Sequence, residues 1–271
     1  MTKVTLGQLG EFSNGVNFKS TQMGRGTRLI NVKDITVNTW MKVENFDFVD
    51  VPFNNENIAT EEDLFFVRSS VKLSGIALVS KINQLDENTI HCGFVIRFRP
   101  TSDLIDTDYL LYLFRSPQYR KRLIGLSSGT AIVNISQTVL KGLDFPIPPL
   151  EKQRKISLTL KNYDDLIENN LRRIKLLEDF ALQFYKEWFV CLRFPGYEHT
   201  KIVKGVPDGW EKKKLGDICE EIKEIVLPEN VDSDTPYIGL EHMPRKSITL
   251  STWGKAEDVT SAKHRYRNGD I

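Results

Sequence analysis

The stretch from Glu151 to Phe189 contains neither glycine nor proline, and it constrains the fold more than any other feature of the chain. Its apolar residues recur at alternating spacings of four and three. This spacing keeps one stripe of a helix facing a partner helix, and it is typical of the seam of a coiled coil. The predicted seam consists of Ile156, Leu160, Tyr163, Ile167, Asn170, Ile174, Leu177, Ala181, Phe184 and Trp188. At a rise of 1.5 Å per residue such a helix would be on the order of 58 Å long, too long to be buried in one small domain.

Asn170 is the one polar residue of this seam, and a polar seam residue fixes the register of helix pairing at some cost in stability. The alternative is a long helix that lies across a globular core. The length of the repeating pattern favours a paired helix.

Residues 1–145 have the pattern of a mixed α+β domain, in which short β-branched and aromatic runs are separated by polar turns. The runs that predict strands are Arg28–Ile35, Leu64–Val67, Gly75–Ile82 and Gly93–Phe98. One helix is predicted from Asp106 to Leu123, with Asp106 or Thr107 as its N-cap. A polar loop at residues 127–135 then leads to Ser136, a second candidate N-cap.

The segment Phe145–Leu150 contains three prolines, and it is predicted to be a stiff connector because proline disfavours helix at the residue before it. Residues 191–209 contain Pro195, Gly196, Gly205, Pro207 and Gly209, which predict a linker.

Composition says little about function. The 37 lysines and arginines nearly balance the 36 aspartates and glutamates, so any binding to nucleic acid must come from local patches or be shared with partners. Cys92, Cys191 and Cys219 are far apart and odd in number, which fits a reducing compartment. No signal pattern and no apolar run of spanning length is found, so we expect a cytoplasmic protein.

The chain contains an internal repeat, in which three segments near the start recur in the same order near the end. The offset between the copies falls only from 209 to 208 to 207 residues. The matched segments are Lys3–Leu9 with Lys212–Ile218, Thr27–Lys33 with Thr235–Glu241, and Glu62–Leu64 with Gly269–Ile271. The second copy thus corresponds to roughly the first sixty residues of the first copy, and a fragment of this size buries little surface.

This layout resembles the specificity subunits of type I restriction-modification enzymes, in which recognition domains alternate with long helices. The resemblance rests on the segment Phe145–Arg154 at the entry to the long helix and on the preceding loop Gly129–Ile135. Pro207–Trp210 followed by Leu215–Asp217 is similar to the opening of a recognition domain in that family. The expected fold is α+β, with a β-rich target recognition domain at 1–145, a connector and spacer helix at 146–190, a linker at 191–209 and a partial second recognition domain at 210–271. The chain departs from the family pattern of two complete domains and two long helices.

The resemblance implies a non-catalytic subunit that reads one half of a split double-stranded DNA site, while its helix sets the distance between half-sites. Modification subunits that carry S-adenosylmethionine, and restriction subunits that use ATP and Mg²⁺, are the implied partners. The chain itself is expected to hold no cofactor and no metal. An independent methyltransferase would need an Asn/Asp-Pro-Pro-aromatic motif, and a nuclease or ATPase would need a carboxylate pair with lysine or a phosphate loop. None of these motifs is found in the sequence.

Three loop segments of residues 1–145 are candidates for DNA contact. The first is the polar and basic turn of Arg68, Ser69, Ser70 and Lys72, since arginine and lysine pair with guanine edges or phosphates. The second is Asn31 with Lys33. The third is the segment of Ser128, Gly129, Thr130 and Asn134, in which glycine and hydroxyls allow close approach to a phosphate. For each, an ordinary solvated turn is the alternative.

Two further questions stay open at the level of sequence. The cluster of Arg115, Arg120, Lys121 and Arg122 either follows a DNA backbone or is a solvated helix end. The chain as a whole is either an inactive truncated allele that only pairs through its helix, or a half-subunit that acts as a homodimer on a symmetric split site.

Overall fold

The computed structural model describes residues 2–37, 39–85, 87–129, 132–245 and 249–270. The chain divides into a first unit, Met1–Leu166, and a second unit, Ile167–Ile271. In the described ranges no helix is both long enough and apolar enough to cross a membrane.

In its described ranges the first unit consists of short strands and short helices, followed by the start of a longer helix. The strands are β1 (Thr2–Thr5), β2 (Gly10–Asn14), β3 (Met23–Ile30), β4 (Trp40–Met41), β5 (Asp47–Val49), β6 (Leu64–Val67), β7 (Ser69–Ser70), β8 (Val79–Ile82), β9 (Thr89–His91), β10 (Val95–Pro100), β11 (Val133–Asn134) and β12 (Asp144–Ile147). The helices are α1 (Val32–Val37), α2 (Thr107–Arg115), α3 (Pro117–Gly125), α4 (Gln137–Lys141) and α5 (Leu150–Tyr185).

A five-stranded sheet with the order β2-β10-β6-β8-β4 lies at the centre of the first unit, and both of its faces are buried. Strand β6 shows how both faces of the sheet are buried. Side chains of a strand point alternately to the two faces, so Leu64 and Phe66 enter one core cluster while Phe65 and Val67 enter the other. Helices α2, α3 and α4 contribute to the first cluster. The second cluster takes residues of the three-stranded sheet β5-β3-β9 and of α1.

Several predicted boundaries were wrong, each for a local reason. The predicted strand Arg28–Ile35 ends at Ile30, because the Asp34 carboxylate accepts a hydrogen bond from the backbone N–H of Asn31 and α1 begins there. The predicted helix Asp106–Leu123 is two helices, since Ser116 is extended (ψ 146°) before Pro117, the first residue of α3. The N-caps Asp106 and Ser136 are confirmed, because their side chains accept from the backbone of Tyr109 and Val139.

Three other segments also differ from the sequence prediction. The run Gly75–Ile82 becomes a strand only at Val79, and Gly93–Phe98 only at Val95. The connector at Phe145 includes strand β12, which pairs with β1 and extends the first unit's sheet structure to Ile147.

Helix α5 is confirmed as a long helix, although it ends at Tyr185 and is followed by a π-helical turn, Lys186–Val190. In the second unit the predicted linker contains a hairpin of β13 (Ile202–Val203) and β14 (Val206–Pro207). The remaining strands pair as β15 (Ile225–Val226) with β18 (Lys263–His264) and β16 (Pro236–Tyr237) with β17 (Gly254–Lys255). Among the described residues of this unit, Ala256 is the only buried hydrophobic residue.

The same small turn recurs in both units at each of the three offsets of the sequence repeat. In each case a backbone N–H donates to the side chain three residues ahead. The pairs are Thr5 to Gln8 with Lys214 to Asp217, Asn31 to Asp34 with Gly239 to His242, and Thr60 to Asp63 with Arg267 to Asp270. The matched segments therefore fold alike locally.

Candidate functional site

Two of the three candidate segments form one site. Strand β7 lies antiparallel to β11, with Ser69 opposite Asn134 and Ser70 opposite Val133. The Ser69 hydroxyl donates to Asn134 Oδ1 at 2.5 Å, and the N–H of Ile135 donates to the carbonyl of Arg68 at 3.0 Å. Residues 65 positions apart in the sequence are thereby held side by side.

Hydrogen bonds fix the loop that carries Ser128 and Gly129. The backbones of Ser128 and Asn134 exchange two hydrogen bonds, at 3.0 and 2.7 Å, which close the loop at its base. Gly129 has a φ of +120°, and a Cβ there would lie 2.2 Å from the carbonyl oxygen of Ile132. Only glycine fits this position without moving the loop. Thr130, the remaining candidate of this segment, lies outside the described residues.

The turn after β7 is also held from within. The Ser70 hydroxyl donates to the carbonyl of Lys72 at 2.7 Å and accepts from the Lys72 N–H at 3.2 Å. Ser70 thus serves the turn, whereas the Lys72 side chain is exposed. Neither Arg68 nor Lys72 forms an ion pair with any residue that the structure describes, so both charges are free for an anionic ligand.

A cavity of about 370 Å³, lined by both polar and apolar residues, lies between these segments. Arg68, Ser128 and Asn134 line it. Sequence reasoning missed its other lining residues: Asn14, Leu126, Ile135, Ser136, Gln137 and Val139. Their positions depend on β2 and α4, which reach the site only through the tertiary fold, so no sequence signal marks them.

The second candidate segment joins this site through the turn at residues 92–94. Asn31 Oδ1 lies 3.5 Å from the Cys92 Sγ, while Arg68 donates from Nη1 to the carbonyl of Gly93 at 3.3 Å. Asn31 Oδ1 also accepts the N–H of Val32, the first residue of α1. Lys33 is neutralised by Asp47, whose carboxylate lies 2.6 Å away and raises the pKa of the lysine. Lys33 is therefore a weaker candidate than Lys72.

Phe94 belongs to the same turn, and 61 % of its side chain is exposed. Its carbonyl accepts the N–H of Arg68 at 2.8 Å, so the backbone of the turn is fixed. Phe94 falls in the predicted strand Gly93–Phe98, so it was not among the candidate site residues. A phenylalanine after Cys92-Gly93 was the only available signal.

The arginines of the basic cluster on α2 and α3 bind groups within the first unit. Arg115 donates to the carbonyl of Val79 at 2.6 Å, and Arg120 donates to that of Ile76 at 2.8 Å. Both side chains are half-buried, and Arg122 pairs with Asp144. The guanidinium groups of Arg115 and Arg120 satisfy backbone carbonyls at and just before β8, so neither of these two is a solvated helix end. Arg122 is exposed and bonded to Asp144 of β12, and a DNA contact by Lys121 stays a prediction.

Two faces of α5 are distinguished by their burial. Gln153 and Ser157 are buried, and Ile156 is half-buried against the first core cluster. Ile156 therefore packs partly against the first core cluster, and its part in a pairing seam stays a prediction. Trp188 lies in the π-helical turn, half-buried, with its ring 5.4 Å from that of Phe184.

The other predicted seam residues are exposed: Leu160, Tyr163, Ile167, Asn170, Ile174, Leu177, Ala181 and Phe184. Tyr163, Ile167 and Leu177 are each more than half exposed. Such a row of apolar side chains is costly in water and is typical of a surface that binds another protein or helix.

Comparison with known proteins gives consistent results. Residues 1–179 match the family described as type I restriction modification DNA specificity domain. The type I restriction enzyme MjaIX specificity subunit of Methanocaldococcus jannaschii is 26 % identical over 226 residues, which cover 78 % of this chain and 51 % of that protein. The putative MjaX specificity subunit of the same organism is 30 % identical over 160 residues, covering 55 % and 35 %. The chain thus spans about half the length of the first relative and a third of the second.

A solved structure shares the fold. The type I restriction-modification system S subunit from M. genitalium aligns with a TM-score of 0.51 at 19 % identity, over 73 % of this chain and 48 % of that chain.

Proposed function

The chain belongs to the type I restriction-modification DNA specificity family, and from this premise we propose that its first unit reads one half of a bipartite DNA site. The observation that carries this proposal is the pairing of β7 with β11. It brings two unneutralised cations, Arg68 and Lys72, beside the polar loop of Ser128 and Asn134. A local concentration of positive charge and amide groups is what a chain with a net charge of +1 needs in order to bind a polyanion.

Asn134 has the hydrogen-bonding capacity to read a base. Its Oδ1 accepts from Ser69 and its Nδ2 donates to the carbonyl of Ile132. A side-chain amide has two N–H donors and two acceptor lone pairs, so one of each is left. One donor and one acceptor are what a bidentate contact to adenine requires.

Arg68 and Lys72 suit different parts of the duplex. A guanidinium group pairs in a bidentate manner with the guanine edge, whereas an ammonium group acts as a point charge toward a phosphate. Asn31, Lys33, Ser69, Ser70, Ser128, Gly129 and Thr130 are proposed to complete the contact surface. The Ser128 hydroxyl and backbone N–H groups would bind phosphate oxygens and so position the protein on the duplex. The single O–H donors of Ser69 and Ser70 already go to Asn134 and to the carbonyl of Lys72, so these two serines would hold the surface in shape.

Helix α5 is proposed to pair through its exposed seam with the α5 of a second copy of this chain. Two first units related by a two-fold axis would then read a symmetric split site, whose spacing is set by the distance between the two readers. We further propose that modification subunits dock on this scaffold and methylate adenine with S-adenosylmethionine, and that restriction subunits cleave DNA with ATP and Mg²⁺. This chain would supply recognition and no catalytic group.

Co-expression with the cognate modification subunit, followed by mapping of methylated adenines across the host genome, tests the proposal. We expect a symmetric split motif that is lost when Ile167 and Ile174 are both changed to Asp. Co-purification without new methylation would identify an inactive scaffold. Failure of the two proteins either to co-purify or to methylate DNA would contradict the proposed function.

Arg68→Gln and Lys72→Ala test the site itself, with Lys152→Ala as a matched control because Lys152 is an exposed lysine of α5, outside the site and outside the predicted seam. We expect methylation to fall in the first two variants and to persist in the control. Equal methylation in all three would exclude this surface.

A further inference from the structure

Two groups of polar contacts between α5 and the rest of the first unit lie about three turns apart, and Gln153 forms the first of them. Its side chain is fully buried. Its Oε1 accepts the N–H of Asp106 at 3.0 Å, and its Nε2 donates to the carbonyls of Leu104 and Pro148, both at 2.9 Å. The first turn of α5 is thereby joined to the loop before α2 and to the proline connector.

The second polar contact is formed by Asp164, about three turns further along the helix. Its Oδ2 accepts hydrogen bonds from Tyr112 Oη at 2.8 Å and from Trp40 Nε1 at 3.2 Å. The indole Nε1 also lies 3.2 Å from Tyr112 Oη, so the three side chains form a closed triangle. Hydrogen bonds to an ionised carboxylate are stronger than those between neutral groups. Burial raises the pKa of Tyr112, which keeps its hydroxyl protonated as a donor.

Lys161 strengthens the same contact from one helical turn earlier. Its Nζ lies 4.4 Å from the centroid of the Trp40 ring and donates to Asn83 Oδ1 at 2.8 Å. Trp40 is therefore held on its edge by Asp164 and on its face by a cation. We call Trp40, Tyr112, Lys161 and Asp164 the helix clasp.

Two polar contacts that lie about three turns apart fix the direction of the α5 axis, whereas one contact alone would let the helix pivot. Eleven residues separate Gln153 from Asp164, or about 16 Å of helix. A further 21 residues of α5 follow Asp164, or about 32 Å. A tilt of about 6° about the clasp would move the far end of such a helix by roughly 3.4 Å, the rise of one base pair along a strand.

We propose that Asp164, through Trp40 and Tyr112, is a positioning residue that determines how many base pairs separate the two half-sites. This inference rests on the proposed function, in which α5 sets the distance between two readers. The clasp touches no base. Its effect is on the allowed directions of the helix, and hence on the tolerance of the complex for a longer or shorter spacer.

The test maps methylated adenines in cells that express the modification subunit with the parent chain, Asp164→Ala, Trp40→Phe or Tyr112→Phe. The parent is expected to methylate sites with a single spacer length. The three variants are expected to keep the half-site sequences and to raise methylation at spacers one base pair longer or shorter by roughly tenfold, the effect of losing a hydrogen bond to a charged group. Asp165→Ala is the matched control, because Asp165 is the exposed carboxylate next to the clasp.

The outcomes separate the two proposals. A split motif with one unchanged spacer in all three variants would overturn the positioning role and leave the proposed function intact. The absence of any split motif in the parent would overturn both. Tyr112→Phe removes one hydroxyl from a protein otherwise intact, so it reports on spacing if Asp164→Ala fails to fold. Loss of methylation in all three variants without any new spacer would assign the clasp a purely structural role and overturn the inference.

Discussion

His91 makes the stability of the first unit depend on pH. Its ring is fully buried and lies 5.6 Å from the ring of Phe65. Burial, with a smaller contribution from the charge of Arg97, lowers the pKa of His91 to about 4 from an ordinary value of 6.5. The folded protein therefore holds His91 neutral at pH values where the unfolded chain would protonate it.

The sign and size of the effect follow from proton linkage. Because the unfolded state binds more protons, the free energy of unfolding falls as pH falls, beginning near the unfolded pKa of 6.5 and levelling off below the folded pKa of about 4. At pH 5.0 the ratio of the two binding polynomials is about 30, which corresponds to a loss of about 2 kcal/mol. Above pH 7 the loss is close to zero.

Urea unfolding at pH 7.5 and pH 5.0 measures this loss. The fluorescence of Trp40 reports on the first unit when Trp188, Trp210 and Trp253 are replaced by Phe. His91→Gln is the matched variant, because it keeps a polar side chain of similar length and cannot titrate. We expect the parent to lose about 2 kcal/mol more than His91→Gln between the two pH values. His199, His242 and His264 are common to both proteins, so their contributions cancel. An equal pH dependence in the two proteins would refute the reasoning.

Three further predictions concern single side chains. Gln153→Leu leaves one buried and two partly buried backbone groups without partners and is expected to lower the free energy of unfolding by about 1 to 3 kcal/mol. Gln153→Glu keeps the acceptor for Asp106 but sets a buried carboxylate against two carbonyl oxygens, so it should be at least as destabilising at neutral pH; urea unfolding measures both. Gly129→Ala forces a Cβ against the carbonyl of Ile132, so we expect weaker binding to the mapped DNA motif in fluorescence anisotropy, with circular dichroism unchanged; equal affinity would contradict the fixed loop. Lys72→Ala is expected to reduce the slope of log K against log salt by about 0.9, the value for one phosphate contact, and an unchanged slope would mean that Lys72 touches no phosphate.

Much of the local structure could be predicted from the sequence. The absence of glycine and proline after residue 150, together with the 4-3 spacing, predicted the long helix, and Asp106 and Ser136 were identified as N-caps. These features were accessible because helix formation and capping depend on residues within one or two turns of each other. The family resemblance was likewise carried by contiguous segments, and the match over residues 1–179 confirms it.

The predicted bounds of strands and helices were wrong where two local sequence signals favoured different structures. Arg28–Ile35 has the β-branched composition of a strand, yet the Asn31–Asp34 turn starts a helix after Ile30. Pro117 was present in the sequence as a helix-initiating residue, but the amphipathic pattern ran through it and concealed the break at Ser116. Arg115 and Arg120 looked like a surface patch, because nothing near them in sequence shows that the carbonyls of Val79 and Ile76 need donors.

The long helix, the caps of α2 and α4, and the family could therefore be read from neighbouring residues of the chain. That Arg68 lies beside Asn134, and that Trp40 and Tyr112 meet Asp164 of α5, follows from the packing of distant segments. The difference comes from how far apart along the chain the interacting residues lie. Helical periodicity depends on residues within one or two turns of each other. The candidate site and the helix clasp depend on hydrogen bonds between residues 52 to 124 positions apart. The packing of the whole sheet determines which of these distant residues become partners.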